Sequence, residues 1–368
     1  MISIIGAGPA GCYLGYLLAK KGQNVQIFEE HKEVGHPIQC TGIVTRRICA
    51  ILDIPKSIIL NKVKRMQVHS PDGAKISIPN NDLVIDRSLF DQYLAKLAKA
   101  SGVRILTGHK FLKITKMGVM AISKGRSKEY GCDILIGADG PGSNVAKQAG
   151  IFGSRSFYTG IQIRVKGRFD RNAYQVHLDV PGFFGWIVPE SEKIARIGLA
   201  VQKHPNERFN RFLEKLNLKG AGWKRNIIDS QAGLIPIYDP DLPMHKHLHG
   251  KDIFLLGDAA TQVKATTGGG IVQALMAAEA LCDTITNGVS YEKSIKKLRK
   301  ELGLHLKIRK TLNRFSDQDY NRLIEEFNSS KIKKVLKNNT RDQPIKLMIS
   351  LLLAKPRLLL FGRFLLGL

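Results

Sequence analysis

Six residues near the N-terminus constrain this chain more than any other feature. Gly6-Ala7-Gly8-Pro9-Ala10-Gly11 follows the apolar run Met1 to Ile5 and opens a helix-patterned segment that Gly22 ends. Gly6 suits a tight turn, Gly8 lets the backbone approach a pyrophosphate, and Gly11 lets helix and strand pack closely. Free N–H groups and the dipole at the helix start then favour phosphate. Val25-Gln26-Ile27-Phe28 reads as the next strand, and Glu29 ends it eighteen residues after Gly11. A carboxylate there accepts from a ribose 2′-OH and repels the 2′-phosphate of NADP. The strand starts too early to leave room for a cleavable secretory segment, so a cytoplasmic location is expected.

At 368 residues the chain is long enough for two domains. Lys64 to Val68 and Lys75 to Ile78 alternate around Pro71-Asp72-Gly73, which reads as a β-hairpin. Ser88 to Ala100 reads as a helix, and strands follow near Val103, Lys110, Gly118 and Ile134. From about Thr159 to Ile235 the sequence becomes strand-rich, and nucleotide-fold pattern returns at Ile253-Phe254-Leu255-Leu256. The expected division is therefore a nucleotide domain in two parts, 1–158 and 241–290. A β-rich substrate domain, 159–240, is inserted and shares the hairpin 62–80, and a basic helical region, 291–368, ends in an apolar tail.

Five scattered cysteines form no Cys-x-x-Cys pair, which argues against structural zinc and against a disulfide framework. No metal site is expected, and His245, His247 and His249 read as part of a polar loop. The formal net charge is +26, and residues 291–341 hold fifteen Lys and Arg against six Asp and Glu. No aromatic stripe for base stacking accompanies that charge, so nucleic acid is not the expected partner. Ile345 to Leu368 is apolar but broken by charges, and its longest uncharged run, Leu347 to Ala354, is too short to span a bilayer. It suits either an interfacial helix with snorkelling basic residues or a cap on the protein's own apolar tunnel. With the first of these, the protein sits peripherally on an anionic membrane surface.

Two later segments end a strand in Gly-Asp or Asp-Gly. Ile134-Leu135-Ile136-Gly137-Ala138-Asp139-Gly140 is one, and by itself it reads as an ordinary turn. Leu255-Leu256-Gly257-Asp258-Ala259-Ala260 is the other, followed by Thr267-Gly268-Gly269-Gly270-Ile271 opening a helix. Asp258 is placed to bind a sugar-alcohol hydroxyl. Backbone N–H groups near Gly269 and Gly270 suit the N1/C2=O edge of a reduced flavin, where negative charge collects.

In this order the three segments resemble the flavoprotein class typified by p-hydroxybenzoate hydroxylase. Within it the chain resembles the geranylgeranyl reductase family, the archaeal digeranylgeranylglycerophospholipid reductases in particular. The likeness also rests on Pro37-Ile38-Gln39-Cys40-Thr41-Gly42, on Asp86-Arg87-x-x-Phe90-Asp91, on Pro181 to Pro189 and on the Lys355-Pro356-Arg357-Leu358-Leu359 tail. It implies an α/β fold: a Rossmann-type FAD-binding domain with an inserted β-rich substrate domain and a helical C-terminal region. The cofactor expected is FAD, held through Gly6, Gly8, Ala10, Gly11, Glu29, Cys40, Gly42, Arg87, Asp139, Asp258, Gly268, Gly269, Gly270 and Ile271. The activity implied is reduction of C=C bonds in geranylgeranyl chains of ether lipids or prenyl diphosphates, by hydride from flavin N5.

The resemblance puts Cys40, Phe184 and Trp186 at the reacting centre. From the residues alone, Phe184 and Trp186 are equally a core pair sharing one strand face, and Cys40 an inert thiol. Asn144 and Lys147 stand where relatives usually carry arginines, and Lys264-Ala265 where Asn-Pro is usual. No second nucleotide fingerprint is present, which leaves the electron donor as reduced nicotinamide or a small redox protein. The alternative activity is that of a flavin-dependent aromatic monooxygenase or halogenase. Halogenases carry Trp-x-Trp-x-Ile-Pro, but here the first position is Phe184 and the fifth Val188.

Overall fold

The computed structural model describes residues 1–218, 220–338 and 344–358. Its contacts divide the chain into two units. The first comprises Met1–Ile38, Asp86–Phe157 and Ile235–Gly303; the second comprises Gln39–Ile85, Tyr158–Leu234 and Leu304–Leu368. The second unit thus takes in 39–61 and the chain after 303 as well as the expected hairpin and β-rich stretch.

A six-stranded sheet forms the first unit. Across it run His245–Leu248, Lys251–Leu255, Ile134–Gly137, Ile2–Ile5, Val25–Glu29 and Arg104–Thr107. All neighbours are parallel except the first pair. Ile2–Ile5 is buried along its whole length, as an apolar run in a sheet covered on both faces must be. Helices Pro9–Lys20, Arg87–Ala100 and Ile271–Asn287 pack together, the first against the other two. A three-stranded meander, Lys110–Ile114, Gly118–Ser123 and Arg126–Gly131, buries Phe111, Val119 and Ala121 in one cluster with Ile5, Phe28 and Leu135.

The histidine segment is a strand and not a loop. His249 and Gly250 both take positive φ, 52° and 71°, in a two-residue turn that folds His245–Leu248 back onto Lys251–Leu255. His245 and His247 both meet Asp252 Oδ1, at 2.9 and 3.2 Å.

The second unit is built on a seven-stranded sheet. Its order is Ile227–Pro236, Phe157–Lys166, Ile194–Val201, Gly185–Pro189, Ala173–His177, Arg65–His69 and Lys75–Pro79. Helix Pro205–Lys215, unexpected inside the β-rich stretch, covers one face by seating Phe209, Phe212 and Leu213 on Ile163, Ile197, Leu199 and Val201. Side chains alternate along a strand, so Gln162, Arg164, Trp186 and Arg196 share the opposite face. The basic C-terminal helices belong here because their apolar faces are used: Ile324 and Phe327 pack with Val68 and Ile76 of the hairpin. Helix Pro344–Ala354 follows, and the end of the apolar tail, 359–368, lies outside the described residues.

His69 and His177 are register partners on adjacent parallel strands. Their rings stack at 4.5 Å, and Phe212 meets His177 edge-on at 5.3 Å. Burial lowers the pKa of both, that of His177 from 6.5 to about 4; the charges of His69 and Lys215 act the same way on His177, those of Lys75 and Lys215 on His69, and Asp179 opposes them at both. An unfolded chain takes up these protons near the ordinary histidine value. Stability from the neutral pair is therefore complete above about pH 6.5 and is lost as pH falls towards 4. Melting temperature measured from pH 7 to 4 should fall across that window. His177→Phe, which keeps the stack without the proton, should flatten the fall, and an unchanged profile would assign it to other groups.

Candidate functional site

In the first unit the three chemistry-bearing segments meet at the C-terminal edge of the parallel strands. A Cβ on Gly11 would stand 2.0 Å from the Gly6 carbonyl oxygen, and one on Gly6 would stand 2.3 Å from that of Ala138, next to Asp139. A Cβ on Gly257 would lie 3.0 Å from the Ala10 methyl. The turn and the second segment thus rest backbone on backbone, and the third segment is held off the turn by no more than the Ala10 methyl. Gly8 is the exception, since a Cβ there would meet nothing within 4 Å. It marks the open side of the turn.

Helix Pro9–Lys20 starts at Gly8 with Pro9 in its first turn and no capping side chain. Its first N–H groups are thus left for an anionic ligand. Glu29 turns back onto this loop: one carboxylate oxygen accepts from Ala7 N at 2.9 Å, and the other accepts from His31 N at 3.0 Å and meets His31 Nδ1 at 2.6 Å. It braces the glycine turn as well as standing where a ribose acceptor is expected.

Asp139 is occupied locally. It accepts from Ser143 Oγ at 2.6 Å, Asn144 N at 2.7 Å and Val145 N at 3.1 Å, and so caps the short helix Asn144–Gln148. Arg87 forms a two-pronged pair with Asp91, at 3.2 and 3.0 Å, one helical turn on. Asp258 differs from both. Among the described residues its carboxylate has no hydrogen-bonding side-chain or backbone partner, and burial pushes it up to about 6 against the opposing charge of Arg87. A Cβ on Gly270 would lie 2.9 Å from Asp258 Oδ1, so this carboxylate stands at the uncapped start of helix Ile271–Asn287. Gly268 and Gly269 hold the loop before it, with Gly268 N donating to Lys264 O at 2.8 Å and Lys264 N to Gly269 O at 3.1 Å. An open glycine turn, two uncapped helix starts and an unpartnered, half-buried carboxylate fit a dinucleotide with a hydroxylated linker, which is the chemistry of FAD.

The second unit carries the other candidates. Gly42 has φ +77°, and a Cβ there would lie 2.4 Å from Ile85 O, so only glycine lets the Cys40 loop close onto Leu83–Ile85. The Cys40 thiol, half-buried, accepts from Gly42 N at 3.3 Å. Its carbonyl accepts from Arg196 Nη1 at 2.5 Å, and Arg196 Nε meets Glu190 at 2.6 Å, both side chains being buried. Trp186 Nε1 donates to Gln162 Oε1 at 3.3 Å, and Thr41 Oγ1 donates to the same oxygen at 3.0 Å. Phe184 meets Trp186 edge-on at 6.0 Å and stacks on Phe183 at 4.3 Å. The indole lies flush on its sheet because position 198 is glycine: a Cβ there would be 2.6 Å from the Trp186 ring. Cys40, Phe184 and Trp186 are therefore gathered on one sheet face by Gln162, Arg196 and Glu190. Sequence reasoning passed over those three, although two charges and an amide inside apolar strands are a visible signal.

The chain matches the FAD binding domain family model over residues 65–290 and the NAD(P)-binding Rossmann-like domain model over residues 4–44. The digeranylgeranylglycerophospholipid reductase of Methanosarcina acetivorans is 30% identical over 79% of this chain and 77% of that protein. The chain belongs to this reductase family. Its counterpart from Methanothrix thermoacetophila is 26% identical, covering 91% of the chain and 93% of that protein. A geranylgeranyl bacteriochlorophyll reductase-like protein from Thermoplasma acidophilum superposes with TM-score 0.80, at 18% identity over 99% and 98% of the two chains. A flavin-dependent brominase superposes with TM-score 0.68, at 17% identity over 95% and 93%. At such identities the two structures establish the fold alone. Family membership makes the chain an FAD-dependent oxidoreductase, in accord with the cofactor that the first unit fits.

Gly11→Val places a branched side chain where even a methyl overlaps the Gly6 carbonyl. The purified variant should carry no FAD, and flavin absorbance at the wild-type level would overturn the assignment of the turn.

Proposed function

We propose that this member of the reductase family reduces C=C bonds in geranylgeranyl chains of archaeal-type ether phospholipids. The observation that carries the reading is its likeness to the named lipid reductases over most of both lengths. Bound FAD supplies the hydride. The chain's own residues hold, orient and enclose. Gly8 and the start of helix Pro9–Lys20 would receive the pyrophosphate, Glu29 a ribose hydroxyl, and Asp258 a hydroxyl of the sugar-alcohol linker. N–H groups at Gly269, Gly270 and Ile271 would serve the electron-rich edge of the bound ring system, that of Gly269 after giving up its bond to Thr267 Oγ1.

An isolated alkene has no carbonyl to take up developing charge, so alignment and exclusion of water must supply the rate. Trp186 and Phe184 provide apolar, shape-defining wall for a prenyl chain, and Cys40 presents a thiol beside it. The fold is shared with a brominase, but in this chain Phe184 stands where the halogenase box has tryptophan.

The anionic membrane surface is proposed as the place where the lipid is met. Among the described residues no helix is long and apolar enough to cross a membrane. Ile349 and Leu353 of helix Pro344–Ala354 are 51% and 79% exposed, and basic helices precede them. Each cation near an anionic surface adds about 1 kcal/mol, screened within a Debye length. The wild type should co-sediment with anionic vesicles at low salt and release at high salt. Ile349→Glu with Leu353→Glu should bind less at unchanged FAD content, and undiminished binding would return the helix to a purely internal role.

Activity is tested with dithionite as reductant, which removes dependence on the physiological donor. Reduced protein given an unsaturated diether phospholipid should yield product heavier by one H2 per bond, and no mass change would overturn the function. Cys40→Ala should keep FAD and lose turnover about tenfold, equivalent to about 1.4 kcal/mol of barrier. Unchanged turnover would make Cys40 a packing residue.

A further inference from the structure

A directed chain of hydrogen bonds runs from the outer strand of the seven-stranded sheet to Trp186. Asp229, on Ile227–Pro236, is an acceptor only, and its Oδ1 takes a bond from Gln231 Nε2 at 3.1 Å. This turns Gln231 Oε1 inward, where it accepts from Gln162 Nε2 at 2.7 Å. Gln162 Oε1 is thereby aimed at its two donors, Trp186 Nε1 and Thr41 Oγ1. An indole nitrogen can only donate, so a flip of Gln162 would leave it facing another donor, and a flip of Gln231 would set two amide N–H groups against each other. Gln162 is 5% exposed and Trp186 8%, so water is not at hand to take the place of a lost bond.

We propose that Asp229, Gln231 and Gln162 are positioning residues for the reaction. The carboxylate at the sheet edge sets the orientation of both amides, and through them fixes Trp186 and Thr41 where the prenyl chain is received. The inference rests on the reading of Trp186 as substrate wall. It makes the choice of double bond depend on a carboxylate that never touches the lipid.

Reversing the polarity of the chain tests it. Gln162→Glu keeps the acceptor for Trp186 and Thr41 but presents an oxygen to Gln231 Oε1. Gln231 must then flip, and it meets Asp229 oxygen to oxygen. Adding Asp229→Asn lets the whole chain run the other way, with the new carboxylate accepting from Gln231 and the new amide donating to it. Gln162→Glu alone is expected to raise the KM for the lipid about tenfold, with a smaller change in kcat, and to broaden which bonds are reduced. The double variant should return to within about threefold of wild type, a coupling that independent sites do not show. In a Trp223→Phe background, Trp186 emission should shift to the red in the single variant and recover in the double, at constant FAD content. Gln231→Met breaks the chain without burying a charge, and is expected to give the same red shift should Gln162→Glu not fold. Losses that merely add in the double variant, or wild-type KM and emission in the single ones, would overturn the proposal. Emission needs no substrate, so a wild type inactive on geranylgeranyl lipids would sink the functional reading while leaving the relay testable.

Discussion

Backbone rests directly on backbone where the first strand becomes the first helix, and the nucleotide-binding unit is arranged around that contact. With 2.0 Å between a would-be Gly11 Cβ and the Gly6 oxygen, no other residue permits the approach. The helix can therefore lie close over its own strand. Gly15 continues the fit, its would-be Cβ standing 2.9 Å from Ile27. Because the helix is close, its start falls beside Ala138 and Gly257, and three segments far apart in sequence share one edge. Glu29 then ties the second strand to the same turn through Ala7 N. A carboxylate accepting from backbone N–H groups is charge-assisted and holds its geometry without a long side chain to order.

The second unit meets a different constraint, that of charge inside a sheet. Glu190 and Arg196 are 5% and 3% exposed, and Arg164 joins them at 2.8 Å. Desolvating such ions costs several kcal/mol each, so the cluster is poor evidence for stability by itself. Its worth lies in direction. With Glu190 neutralising it, Arg196 still reaches the Cys40 carbonyl, and a loop that leaves the sheet is pinned at one atom. The face under helix Pro205–Lys215 is ordinary apolar core. The opposite face carries charge, amides and aromatic rings.

Much of this was legible in the sequence, for reasons that also explain what was not. Ile2–Ile5, Ile134–Gly137 and the Ile253-Phe254-Leu255 part of Lys251–Leu255 announce themselves because strands buried on both faces are apolar along their buried length. The hairpin around Pro71-Asp72-Gly73 pairs as its turn chemistry requires. Arg126–Gly131 has no such signal: mostly exposed and polar, it is a strand because Gly118–Ser123 offers it a partner. His249-Gly250 lacks the usual Asn or Asp of a tight turn. Helix Pro205–Lys215 carries its signal, Phe209, Phe212 and Leu213 at helical spacing, but it is short and lies between strand-patterned runs. Candidate contacts divided in the same way. Asp258 and the glycines follow from local geometry, whereas the use of Asp139 as a helix cap and of Gln162 as a shared acceptor depends on what lies next to them in space.

The likeness to a brominase at TM-score 0.68 shows how little of the chemistry the fold itself determines. A sheet face can be rewritten at alternate positions without disturbing the core on its other side, since i and i+2 residues never enter it. Gly198 illustrates how specific such rewriting must be. Any side chain there would collide with the Trp186 ring and with Gln162 Cβ, each 2.6 Å from the missing Cβ. The indole, the amide that receives its N–H and the glycine beneath both therefore stand or fall as a set, and a change at one leaves a buried donor or a steric clash at the others.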